Sequence, residues 1–114
     1  MDEEKVIQIL TFILLVSTNI YADIQNGIKV YDVHCKTCHS INMTGGEGGD
    51  FNPISYNRTK KELYRYTSDP LGEYKNFGFA ASAMPNIPLK IEDLEDVVEY
   101  VDSLQPFKKW MKKN

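Results

Sequence analysis

The chain has 114 residues, 42% of them hydrophobic and 25% charged, which is enough for one compact core and too little for two domains of ordinary size. Its 13 basic and 16 acidic residues leave a formal charge of −3, a balance that excludes a nucleic-acid-binding surface or another strongly charged partner. Seven Tyr, five Phe and one Trp are a generous aromatic complement for this length and suit packing against something large and flat.

From the N-terminus, Val6 to Val16 (VIQILTFILLV) is an apolar stretch too short to span a bilayer as a helix, and it reads as the hydrophobic region of an export signal. Ala22, the small residue after polar Ser17-Thr18-Asn19, is the expected last residue of a cleaved signal peptide covering residues 1–22. The acidic start (Asp2, Glu3 and Glu4 against Lys5) and Ile20 just before Ala22 depart from the usual pattern. A retained membrane-surface anchor and a buried N-terminal helix are the alternatives. Loss of residues 1–22 leaves 12 basic and 13 acidic residues.

Asp23 is a good N-cap for a helix running through Ile24, Ile28 and Tyr31 towards the cysteines. A glycine-rich loop, Thr44 to Asp50, follows them. Thr59-Lys60-Lys61-Glu62 has capping-box spacing and predicts a further helix with Leu63 and Tyr66 as candidate buried residues, and Asp69-Pro70 starts a short turn. Phe77 to Pro88 is a loop with three alanines and two prolines. Ile91, Leu94, Val97, Val98, Val101 and Leu104 recur at spacings of three and four, predicting an amphipathic helix over 91–104. Its acids (Glu92, Asp93, Glu95, Asp96, Glu99, Asp102) fall largely on another face and read as solvated, and Gln105-Pro106 ends it. These acids oppose a basic set (Arg58, Lys60, Lys61, Arg65 and the lysines of the tail) in a charge dipole suited to orienting an encounter. No segment alternates as a strand would, so the class is all-α, with about three to four helices and long loops that must cover something.

Cys35-Lys36-Thr37-Cys38-His39 is the attachment pattern for haem c. Two thiols three residues apart on a helical turn can each bond one vinyl group of a single porphyrin, and the next residue is then carried under the iron. A zinc site would need about four Cys or His ligands, and outside the motif only the badly placed His34 remains. A thioredoxin-like dithiol would sit near a βαβ pattern, which is not visible, and a plain disulfide would leave His39 without a role.

The chain resembles the class I c-type cytochromes of bacterial periplasms. The resemblance runs in order through Gly27 and Tyr31, the Cys35-to-His39 motif, Asn52-Pro53-Ile54, Ala83-Met84-Pro85 and a last helix ending Val97-Val98-Glu99-Tyr100-Val101-Asp102-Ser103-Leu104. It implies a monohaem domain over residues 23–105, one haem c held covalently through Cys35 and Cys38, and His39 and Met84 as axial iron ligands. A thioether is a soft, neutral ligand that raises the potential relative to two histidines; ordinary core packing is the alternative role for Met84. Met43 is only four residues beyond His39, Met1 is in the expected signal and Met111 in the tail. The family's loop proline, matched by Pro53, would accept the Nδ1 hydrogen of His39, unless it simply shapes the loop. Gly27 would let the first and last helices cross closely beside Tyr31 and Tyr100, and Tyr56, Asn57 and Arg58 are candidate propionate donors or an exposed loop. Lys90 stands where a Ser, Thr or Asp N-cap is usual. The glycine loop lacks the Gly-Lys-Ser or Gly-Lys-Thr of a phosphate cradle and reads as a flexible haem-edge loop.

The expected function is a single-electron carrier, not an enzyme: a monomer whose redox protein partners dock at an exposed haem edge near Ala80, Ala81, Ala83, the Met84 loop and Lys36-Thr37. The rivals are a haem enzyme or gas sensor with an open sixth position, a haem subunit of a larger periplasmic dehydrogenase or oxidase, and a thiol redox module. The tail from Pro106 to Asn114 mixes Phe107 and Trp110 with four lysines, suited to membrane-surface contact or partner docking, with packing on its own domain as the default.

Overall fold

The computed structural model describes residues 2–8 and 22–106. Residues 3–8 are helical and exposed; the rest of the expected signal peptide up to Tyr21, and the tail from Phe107 onward, lie outside the described residues. Among those described, no helix is long and apolar enough to cross a membrane.

The first helix of the domain, α1, spans Ile24–Val30, and Asp23 caps it by accepting from the Asn26 amide at 3.1 Å. It runs directly into a π-helical turn, Tyr31–Cys35, closed by the Lys36 amide on the Tyr31 carbonyl at 2.9 Å. Tyr31 and Cys35 are buried here while Asp32, Val33 and His34 are exposed. Two minimal strands follow, β1 (His39–Ser40) and β2 (Gly49–Asp50), paired in parallel with His39 opposite Gly49 and Ser40 opposite Asp50. The chain then forms α2 (Phe51–Asn57), α3 (Lys60–Ser68), α4 (Pro70–Glu73) and, after a long loop, α5 (Ile91–Ser103). The all-α class holds, with strand confined to this two-residue pair among the described residues.

Local chemistry accounts for most of these boundaries. Thr59 and Glu62 form the reciprocal capping box of α3, Pro70 sits in the first turn of α4, and Lys90 precedes α5 without a side-chain cap. Helix α2 was not expected: with Pro53 in its first turn and only seven residues, it has too little periodicity to stand out.

The core lies where α1 crosses α5, the most extensive contact between elements. A Cβ on Gly27 would lie 2.8 Å from both the Asp96 carbonyl carbon and Tyr100 Cβ, so the close crossing requires glycine, as expected. Tyr31 meets Tyr100 edge-on at 5.9 Å and Phe51 at 5.8 Å. Leu94, Val97, Val98 and Val101 form the apolar face of α5.

Two acids of that helix are not on a solvated face. Asp96 (9% exposed) accepts from the Asp23 amide and the Asn26 side chain, both at 2.8 Å, and Asp102 is 4% exposed. Helix α5 is covered by α1, α3 and α2 in turn, so its buried arc is wider than its apolar residues alone suggest. Glu99 is paired with Lys60 of α3, drawing one member of the expected charge dipole into a local ion pair.

Candidate functional site

The π-helical turn buries Cys35 and delivers Cys38 and His39 to the mouth of a cavity of about 690 Å³, within the usual size range of cofactor sites. Phe51 and Ile54 of α2, Leu63 and Tyr66 of α3 and the valines of α5 give it mostly apolar walls. The long loop closes it with Phe77, Phe79, the three alanines, Met84 and Pro85. Cys35, Cys38, His39 and Met84, separated by up to 49 positions in the chain, thus border one space. Met43 is 66% exposed and His34 is also exposed; neither lines it.

His39 is held on three sides. Phe51 stacks on the ring at 4.2 Å and 17°, the Tyr31 hydroxyl donates to the His39 carbonyl at 2.9 Å, and Nδ1 lies 3.1 Å from the Gly49 carbonyl oxygen. A carbonyl can only accept, so Nδ1 carries the hydrogen and Nε2 has the lone pair. Burial lowers the His39 pKa, against a smaller upward pull from the Gly49 bond, which favours the neutral ring a metal ligand needs. Gly48 makes room: a Cβ there would be 2.6 Å from Nε2.

The acceptor for His39 is therefore Gly49, not Pro53. Pro53 lies inside α2, and its carbonyl accepts from the Asn57 side chain at 3.0 Å. The glycine-rich segment is packed against the motif: Gly48 donates to the Cys38 carbonyl, and a Cβ on Gly46 would strike that carbonyl at 2.7 Å. Of the candidate polar donors, Asn57 and Arg58 line the cavity and Tyr56 does not. Arg58 pairs with Glu62 at 3.2 Å and lies 4.8 Å from the centre of the Phe77 ring.

Cys35 and Cys38 are not joined to each other in a disulfide, and burial pushes the Cys35 thiol up to about 11. Such a thiol is a poor exchange nucleophile, which disfavours the dithiol-module reading. The residues fit a large, flat, iron-bearing macrocycle: two thiols, an imidazole and a thioether border one space with mostly apolar walls, and Gly48 leaves room for the His39 imidazole beside it.

Residues 24–105 match the family model described as Cytochrome c. The chain belongs to the cytochrome c family. No curated protein and no solved structure matched. As a c-type cytochrome, the protein is a haem-binding electron-transfer protein whose Cys35 and Cys38 supply the two thiols of the family's Cys-x-x-Cys-His motif. Gly48, Gly49 and Asp50, which shape the surroundings of His39 in this cytochrome, were expected only as part of a haem-edge loop with no role at His39, and Phe51 was not expected there at all. The run of glycines beside the motif was the one available signal.

Proposed function

We propose that this cytochrome is a single-electron carrier with one haem c bound covalently through Cys35 and Cys38, and with His39 and Met84 as the axial ligands. The observation that carries the reading is that all four side chains border the same apolar cavity. When bound, haem c supplies a reversible one-electron iron couple. The chain's own residues orient His39 through the Gly49 carbonyl and the Phe51 ring and exclude water with apolar walls. Met84, half-buried in the loop before α5, lines the same cavity and would offer a neutral thioether to the iron.

Ala80, Ala81 and Ala83 are exposed and line the cavity, so redox partners dock at this thin wall through a small transient interface. The protein works as a carrier in the periplasm after export, with residues 1–22 removed; the apolar run in that segment supports this.

Co-expression with the haem c maturation machinery, followed by spectra of both oxidation states, tests the reading. Acid-stable haem and a methionine-to-iron charge-transfer band that vanishes in Met84→Ala are expected. Ready carbon monoxide binding by the wild type would favour an open sixth position instead, and haem lost on acid extraction would overturn the assignment.

A further inference from the structure

Asp50 is 8% exposed, and its carboxylate collects four hydrogen bonds from Ser40, Met43 and Asn52 around the His39 segment. Oδ2 accepts from the Ser40 hydroxyl at 2.5 Å and the Met43 amide at 2.6 Å; Oδ1 accepts from the Asn52 amide at 2.7 Å and the Asn52 side chain at 2.9 Å. The Ser40 oxygen itself accepts from the Gly45 amide at 2.9 Å, so its one proton is committed to Asp50. Met43, whose amide is one of these donors, sits at φ 65°, a left-handed conformation rare for a residue with a side chain.

This network coincides with the two-residue ladder that aims the Gly49 carbonyl. Ser40 pairs with Asp50 and His39 with Gly49, so the side-chain bond clamps the same register as the backbone. A parallel ladder this short has little cohesion of its own. Gly49, at φ 82°, has no intrinsic preference that would hold its carbonyl on the imidazole.

We propose that Asp50 is a positioning residue for His39: gripping Ser40, it keeps the Gly49 carbonyl on Nδ1 and so sets the donor strength of Nε2 toward the haem iron. The proposal rests on His39 being an axial ligand. A carbonyl held on Nδ1 raises the basicity of the imidazole, and a stronger donor favours ferric iron. The buried carboxylate charge acts in the same direction.

The test compares holoproteins of the wild type, Ser40→Ala, Ser40→Thr and Asp50→Asn by the resonance of the His39 Nδ1 proton, the midpoint potential and thermal unfolding. Ser40→Ala leaves the carboxylate in place; it moves the Nδ1 resonance and shifts the redox equilibrium several-fold toward ferrous iron, and Ser40→Thr restores both. Asp50→Asn shifts the equilibrium further, by about tenfold, or about 59 mV for one electron. If Asp50→Asn does not accumulate, the Ser40 pair decides. Variants that unfold at lower temperature but keep the wild-type resonance and potential would make Asp50 merely structural and overturn the proposal. A wild type lacking His39 ligation would overturn both readings at once, whereas unmoved variants on a normally ligated wild type overturn this one alone.

Discussion

The backbone amide of Asp23 donates to the carboxylate of Asp96 at 2.8 Å, joining positions 73 residues apart where the two ends of the domain meet. Asn26 binds the other Asp96 oxygen at 2.8 Å and also Asp93 at 2.8 Å, so the start of α1 is fastened to the flank of α5 by polar bonds beside an apolar crossing. Asp96→Ala strands both donors and is expected to cost about 2–3 kcal/mol, against about 1 kcal/mol for Asn26→Ala. Urea unfolding should show a lower midpoint with an unchanged slope. Equal, small losses in both variants would show that the clip contributes little.

Gly27→Ala separates intrinsic helix preference from packing. Alanine favours a helix by about 1 kcal/mol over glycine, but its Cβ would collide with the α5 backbone at Asp96 and with Tyr100 Cβ. The collision involves main chain that cannot rotate away, so a net loss of about 3 kcal/mol is expected. A rise in melting temperature would contradict the close crossing.

Gly48→Ala addresses the haem site. Its added methyl group falls on the His39 ring, so the ring must turn away from the Phe51 stack and the Gly49 carbonyl. The far-ultraviolet circular dichroism should stay close to that of the wild type while the yield of covalent haem, or the ligand-field spectrum of what forms, changes. Wild-type spectra and yield would mean that the ring is not confined there.

The acid limb of stability should depend on Asp50. Burial pushes its carboxyl up, but the hydrogen bonds from Ser40, Asn52 and Met43 outweigh burial and hold it at about 2, below the ordinary 3.8. A group depressed in the folded state contributes fully above its unfolded value, and that contribution fades as pH falls through 3.8 towards about 2. Asp50→Asn should flatten this part of the stability curve between pH 4 and pH 2, measured by denaturant midpoints at fixed ionic strength. An unchanged slope would place the acid transition on other carboxylates.

Much of this molecule was legible because its cues are local. Asp23 as a cap, the Thr59–Glu62 capping box, Pro70 in a first turn and the three-four spacing of α5 each act within one or two helical turns, so neighbouring residue types suffice to predict them. The haem motif is contiguous for the same reason. The sequence by itself determined the class, four of the helix starts and the Cys35, Cys38 and His39 cluster. Only the tertiary structure decided the rest: that Met84, expected from the Met-Pro resemblance, borders the same cavity as His39, that Gly49 and not Pro53 receives the His39 hydrogen, and that Asp96 and Asp102 are buried. Those outcomes depend on which distant elements meet. A two-residue ladder, a glycine at φ 82° and a helix covered on several sides leave almost no periodic trace, because their energy comes from partners far away in the chain.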